Sequence, residues 1–153
     1  MTIKIRSASL PDAPACFALD QRCFPPDIAF ELEAFEELCE TAPICLVAEE
    51  NDQVIGMVAA EVDRPKKIGL IITLDVDPKY RRQGIGSQLM DRAEREMRRL
   101  GVETCLLHVY TPHKSAEAFY RQRGYQPLAH LPNYYRRGED AILMAFMFEN
   151  EKK

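Results

Sequence analysis

The alternation of apolar and polar positions lays out the chain before any composition is counted. Ile3 and Ile5 alternate with polar neighbours as a short first strand. Leu10 to Cys23 predicts a helix with Pro11 accommodated in its first turn, and Phe24-Pro25-Pro26 stops it. Glu31 to Glu40 predicts a second helix, with Leu32, Phe35 and Cys39 on one stripe. Ile44 to Ala48 and Val54 to Val62 are β-rich runs joined by Glu50-Asn51-Asp52, a hairpin by its turn residues. Gly69 to Val76 is a further strand, beyond a polar turn from Asp63 to Lys67.

From Ile85 the period changes. Ile85, Leu89, Ala93, Met97 and Leu100 recur at helical spacing, Asp91 and Arg95 stand ready to pair four residues apart, and Gly101 supplies a C-terminal cap. Thr104 to Tyr110 is a strand, and Ser115 to Gln122 a short helix ended by Gly124. Tyr125 to Leu131 and Ala141 to Phe148 are closing strands around a Tyr134-Tyr135-Arg136-Arg137-Gly138 loop. The order β-α-α-β-β-β-α-β-α-β-β predicts an α/β fold with a mixed sheet. No repeat or Gly/Ser linker interrupts it, so residues 1–153 are expected to form one domain with a core of about 3–149.

Composition narrows the classes. With 153 residues, 46% hydrophobic, the chain has enough apolar material for one packed core. The longest apolar run, Ala141 to Phe148, is far short of the ~20 residues of a membrane helix, and the first residues lack an export signal. A cytoplasmic protein without membrane partners is expected. Five scattered cysteines without a C-x-x-C do not suggest a disulfide framework. Twenty basic against 24 acidic residues leave a charge of −4, which argues against a nucleic-acid surface. The basic residues that matter cluster at Lys79 to Arg82 and Arg92 to Arg99.

The first cluster lies at a strand-to-helix junction, Val76-Asp77-Pro78-Lys79-Tyr80-Arg81-Arg82-Gln83-Gly84-Ile85-Gly86-Ser87. Free amides at the helix start, the helix dipole and two arginines favour a phosphate-bearing anion, and glycines let it come close. The third glycine of a dinucleotide fingerprint and the Walker lysine are both missing.

Arg81-Arg82-Gln83-Gly84-Ile85-Gly86 resembles the R/Q-x-x-G-x-G/A motif of the GCN5-related acyltransferase superfamily. Ser115-Ala116-Glu117-Ala118-Phe119-Tyr120, followed by Gly124-Tyr125, is similar to its second motif. The resemblance implies a central, mostly antiparallel mixed sheet flanked by helices, with the fourth and fifth strands splayed apart. It implies acetyl-CoA as acetyl donor, its pyrophosphate held at Arg81, Arg82, Gln83, Gly84, Ile85, Gly86 and Ser87, and its pantetheine arm paired with Leu74 to Val76. His113 stands where relatives carry an asparagine that contacts the CoA arm.

Within the superfamily the chain is similar to protein N-terminal acetyltransferases, ribosomal-protein acetyltransferases among them. In such relatives the equivalents of Phe24, Pro25, Tyr134 and Tyr135 line the slot for a peptide N-terminus. The resemblance implies His108 as general base, Tyr120 as proton donor to the departing thiolate and the amide of Val76 as the group polarising the thioester oxygen. Histone-type relatives place a glutamate base where this chain has Leu70, and some N-terminal enzymes a catalytic tyrosine.

Strand alternation sets Leu106, His108 and Tyr110 on one face and Cys105, Leu107 and Val109 on the other. Cys105 and His108 therefore diverge, which excludes a zinc site built on this C-x-x-H and gives no reason to expect a covalent cysteine intermediate. An α-amino group of pKa about 7.7–8.0 is partly neutral at pH 7, far more so than a lysine near 10.4, and a histidine near 6.5 can accept its proton. Two other readings stay open: acetylation of a polyamine or an antibiotic amine, and a CoA-binding module without turnover.

Overall fold

The computed structural model describes residues 2–26 and 28–149. Its elements are β1 (Lys4–Ser7), α1 (Ala13–Cys23), α2 (Leu32–Thr41), β2 (Ile44–Glu50), β3 (Gln53–Asp63), β4 (Ile68–Val76), α3 (Ile85–Arg99), β5 (Thr104–Tyr110), α4 (Lys114–Gln122), β6 (Gln126–Arg136) and β7 (Glu139–Met147). The strands form one sheet in the order β1-β2-β3-β4-β5-β7-β6, antiparallel at every pairing except the parallel β4/β5. This is the expected mixed α/β architecture.

Period-2 patterning gives the sheet two apolar faces. Ile44, Leu46, Val58 and Ala60 pack with Ile85, Leu89, Ala93 and Met97 of α3. Cys45, Val47, Met57 and Ala59 face Cys16, Leu19 and Phe35 of α1 and α2. Complete burial of each Leu, Met or Ile in these layers contributes roughly 1.5–3 kcal/mol.

Three local readings need correction. Leu10–Asp12 is a 3-10 turn, and the α-helix starts at Ala13. It is fastened by Asp12, which accepts from the Ser9 amide and from Arg6. Asp91 pairs with Arg123 of the following helix end at 2.8 Å rather than with Arg95, because Arg123 is also held by Glu94 at 2.7 Å. Tyr134, Tyr135 and Arg136 belong to β6, leaving Arg137-Gly138 as a two-residue turn with Gly138 at φ 81°.

The decisive irregularity lies in β4. Opposite Ala59/Ala60 the register slips, so that Thr73 pairs with Ala59 and Ile71 with Ala60, leaving Ile72 as a bulge. The bulge inverts the alternation. Ile71 before it and Leu74 and Val76 after it all face α3, whereas Ile72 packs on the α1/α2 side.

Candidate active site

The parallel ladder between β4 and β5 runs only from Ile68/Thr104 to Ile71/Leu107. Beyond the bulge β4 stays with β3, through Leu74, Asp75 and Val76, while His108, Val109 and Tyr110 of β5 stay with β7. The two strands thus open into a wedge. Leu74 and Val76 are half-buried and pack their side chains against the α3-side core, leaving the backbone edge between them free of a β5 partner. Leu70 lies in the closed part, opposite Leu106.

At the wide end the chain turns through Pro78–Tyr80, where the Asp77 carboxylate accepts from the Lys79 amide at 2.9 Å. Arg82 and Gly84 both take left-handed conformations, at φ 64° and 82°. Gly84 is the N-cap of α3 and offers no side-chain acceptor, so the first amides of the helix are not capped by a side chain. Ile85 is buried and contributes only backbone there, while Arg81, Arg82 and Gln83 are exposed. A Cβ on Gly86 would meet nothing nearer than Phe119 at 3.5 Å. The loop therefore presents uncapped N–H groups, positive charge and a clear approach.

On the α1 side of the wedge, aromatic rings touch in sequence. Phe24 stacks on His113 at 5.4 Å, and His113 meets Tyr110 edge-on at 5.2 Å. Tyr110 meets Tyr135 at 5.8 Å, Tyr135 meets Tyr134 at 4.9 Å, and Tyr134 stacks on His108 at 4.4 Å. The expected acceptor residues Phe24, Tyr134 and Tyr135 are thereby joined to His108, with Pro25 next in chain to Phe24. His113 joins them too: its ring is engaged by Phe24 and Tyr110 on the acceptor side.

Local chemistry holds this arrangement. The β6/β7 ladder is interrupted between Leu131 and Arg136, which releases the tyrosines from regular pairing. Asn133 sits at φ 57°, its amide donating to Asp140 Oδ1 at 2.9 Å and its Oδ1 accepting from the Gly138 amide at 2.6 Å. Asp140 Oδ2 also lies 2.9 Å from His130 Nε2.

The two titratable groups expected to carry the chemistry flank the wedge from opposite faces. His108 shares the face of Tyr110, while Leu107 and Val109 point into the α3-side core. Burial lowers the His108 pKa, so its ring is neutral at pH 7. Tyr120, on α4, belongs to the α3-side core and packs edge-on against Phe119 and Tyr125. Burial, and then the nearby Asp75 carboxyl, push its phenol well above the ordinary range. Its hydroxyl has no hydrogen-bond partner among the described residues. Tyr125 differs: its hydroxyl bonds Glu94 at 2.8 Å and the Cys105 thiol at 3.3 Å. Cys105 points into that core, away from His108, and burial pushes its thiol up to about 12.

The sequence reading missed a pair of carboxyls, Asp20 of α1 and Asp75 of β4, both 1% exposed. The signal was present as an aspartate inside an otherwise apolar run, Leu70-Ile71-Ile72-Thr73-Leu74-Asp75-Val76. It also missed the tie between α1 and the loop: Arg22 to Asp77 at 2.9 Å, and Cys23 Sγ to the Val76 carbonyl at 3.4 Å. Arg81 Nε donates to the same carbonyl at 3.2 Å.

Comparison with known proteins adds independent findings. Residues 13–125 match the model of the acetyltransferase (GNAT) family. An N-alpha-acetyltransferase of Sulfurisphaera tokodaii is 27% identical over 153 aligned positions, covering 93% of this chain and 91% of that protein. N-alpha-acetyltransferase 30 of Xenopus laevis is 32% identical over 102 positions, 65% of this chain, and the match spans only 37% of the frog protein. The crystal structure of the ribosomal-protein-S18-alanine N-acetyltransferase from Escherichia coli superposes with a TM-score of 0.87 at 24% identity, over 99% of this chain and 97% of that one.

Proposed function

This chain belongs to the acetyltransferase (GNAT) family, and from that premise we propose that it moves an acetyl group from acetyl-CoA to the α-amino group of a protein or peptide N-terminus. The observation that carries the proposal is the wedge between β4 and β5, with an uncapped helix start at one end and a neutral histidine among aromatic rings on the acceptor side. The residues fit the donor: the amides from Gly84 to Ser87, with Arg81 and Arg82, would take the pyrophosphate. The edge of β4 from Leu74 to Val76 that β5 leaves unpaired, its Val76 carbonyl held by Cys23 and Arg81, would take the extended arm. Bound acetyl-CoA supplies the activated acyl group as a thioester.

The chain's own residues account for each proton. His108 accepts the proton of the attacking amine, directly or through water, and its lowered pKa keeps it in the basic form. The Val76 amide polarises the thioester oxygen as the amine nitrogen bonds to the acyl carbon. As the carbon–sulfur bond breaks, Tyr120 donates its phenolic proton to the departing thiolate. Its raised pKa keeps the hydroxyl protonated at neutral pH, and among the described residues no acceptor competes for that proton. Both substrates are bound together, and no acyl-enzyme forms.

The acceptor assignment draws on relatives named N-alpha-acetyltransferase and on the aromatic slot, which suits an apolar first side chain beside an amine. A ribosomal protein is one candidate acceptor, by analogy with the Escherichia coli enzyme. The proposed place of action is the cytoplasm, which supplies acetyl-CoA and newly made N-termini. Among the described residues, no helix is long and apolar enough to cross a membrane.

The test is a panel of peptides that differ only in their first two residues, offered with acetyl-CoA and read by mass spectrometry for α- against ε-acetylation. Acetylation confined to the α-amino group supports the reading. Modification of free polyamines alone would overturn it, and CoA binding without transfer would reduce the chain to a binding module.

A further inference from the structure

Asp20 and Asp75 have no role in that mechanism, yet they lie directly behind it. The β4 bulge turns Asp75 toward α1, where its buried carboxyl and that of Asp20 lie near enough to shift each other's proton affinity. Asp75 Oδ1 accepts from Thr73 Oγ1 at 2.5 Å, and Asp20 Oδ2 accepts from the Phe30 amide at 2.8 Å. The two remaining oxygens, Asp20 Oδ1 and Asp75 Oδ2, are buried with no hydrogen-bond partner among the described residues. Two ionised carboxylates facing each other away from water would repel and leave both oxygens unsatisfied. One proton on Asp75 Oδ2, donated to Asp20 Oδ1, satisfies both. It leaves a single negative charge on the pair, with Thr73 and the Phe30 amide completing the network.

We propose that Asp20 and Asp75 form a one-proton carboxyl pair that fixes the acceptor segment carrying Phe24, Pro25 and Phe30 against the splayed end of β4, and that both are positioning residues for the acceptor amine. The connections run in both directions from the pair. On the α1 side, Asp20 holds Phe30, whose ring packs edge-on against Phe35 at 5.9 Å, and the Asp20 carbonyl accepts from the Phe24 amide at 3.0 Å. On the strand side, Asp75 is the residue before Val76, the amide expected to meet the thioester oxygen. A shift of the pair therefore moves Phe24 and the acyl-binding amide relative to each other, and misplacement by about 1 Å costs as much as 10²-fold in rate.

A buried carboxyl pair is a poor way to gain stability, because well-packed apolar residues of similar volume serve as well or better. Its value here is geometric. Desolvation and the neighbouring Asp20 raise the Asp75 pKa well above that of an ordinary carboxyl, while Thr73 and the Arg81 charge oppose the rise. Burial likewise raises Asp20, opposed by the hydrogen bonds from Asp75 and the Phe30 amide. The other ionisable groups that sense the pair are Cys23 and Tyr120.

This inference rests on the acetyl-transfer reading for its kinetic arm only. Asp75→Asn preserves the network, with the amide donating to Asp20 and its oxygen accepting from Thr73, whereas Asp75→Leu keeps the volume and removes both bonds. With a peptide acceptor, Asp75→Leu is expected to raise the acceptor KM about 10-fold. The acetyl-CoA KM should move less than about twofold, and Asp75→Asn should restore the acceptor KM to within about threefold. Equal effects of Leu and Asn, or equal rises in both KM values, overturn the positioning role.

Two measurements need no turnover. Infrared difference spectra of wild type against Asp75→Asn at pH 7 should contain a protonated-carboxyl stretch that the variant lacks; its absence overturns the shared proton. Hydrogen exchange at the Phe30 amide should quicken about 10-fold or more in Asp75→Leu and stay slow in Asp75→Asn, with β2 amides unchanged. Uniform quickening across the chain would make the pair merely structural and overturn the proposal. Because these two read the free protein, a failure of peptide acetylation and a failure of the carboxyl pair give different results.

Discussion

Tyr120 and Tyr125 are five residues apart, pack edge-on at 5.7 Å and are both buried, yet they are expected to respond to loss of a hydroxyl in opposite ways. The Tyr120 hydroxyl makes no hydrogen bond among the described residues, so Tyr120→Phe breaks none there and should change stability by no more than about 0.5 kcal/mol. If that hydroxyl protonates the leaving thiolate, its loss should slow the chemical step about 10²-fold or more, equivalent to about 2.7 kcal/mol of transition-state stabilisation. Tyr125→Phe instead removes bonds to Glu94 and Cys105. It should cost about 1–2 kcal/mol, a Tm loss of about 3–6 °C in a domain of this size, with kcat within about threefold of wild type. Single-turnover acetylation of a peptide reads the chemical step, and thermal unfolding reads stability. A Tyr120→Phe enzyme that retains more than about a third of the wild-type single-turnover rate, with Tm unchanged, would refute the assignment of Tyr120 as the acid.

For His108, burial disfavours the imidazolium, so the acidic limb of kcat/KM assigned to this ring should lie below pH 6.5, distinct from the limb of the acceptor amine near 7.7–8.0. His108→Gln should remove the lower limb and leave the upper one; a pH profile with both limbs intact would take His108 out of the mechanism. The same shift has a stability consequence: the unfolded chain binds the proton near pH 6.5 more readily than the fold does. The wild-type Tm should therefore fall as pH drops through 6.5, and that increment should vanish in His108→Gln. Gly84→Ala puts a side chain at φ 82° and should destabilise by about 1 kcal/mol, whereas Gly86→Ala, with 3.5 Å to its nearest neighbour, should leave Tm unchanged and raise the acetyl-CoA KM. Asp140→Ala releases Asn133 and His130 and should raise the peptide KM about 3- to 10-fold without altering the acetyl-CoA KM.

Much of the fold was legible because its elements follow simple periods. The helix from Ile85 was set by five apolar positions at helical spacing and a glycine at φ 89° after it. The opposite orientations of Cys105 and His108 followed from strand alternation alone, and the burial pattern of β5 alternates residue by residue. What alternation cannot supply is a change of phase. The Ile72 bulge adds one residue on one strand, and no local preference distinguishes Ile71 from Ile72 as the extra one; only pairing with β3 decides it. For the same reason Asp75 had no assigned partner, since its face depends on that slip. Tyr134 and Tyr135 look like loop residues in the sequence because Asn133 and Gly138 carry turn chemistry on both sides of a segment that remains extended.

The bulge also explains why the two halves of the site are built together. A strand in unbroken register would place Leu74 and Val76 on the α1 side and turn Asp75 into the apolar layer beside α3, where Leu89, Ala93 and Met97 offer no hydrogen bond. Slipping by one residue keeps the apolar side chains on α3 and sends the carboxyl to Asp20 and Thr73. It occurs at the point where pairing with β5 ends. A single inserted residue thus coincides with the opening of the wedge, where the backbone edge of Leu74 to Val76 is free of a β5 partner, and ties that backbone to the helix that leads into Phe24 and Pro25. The donor strand and the acceptor segment share one irregularity, so a change that repaired the register would lose both at once.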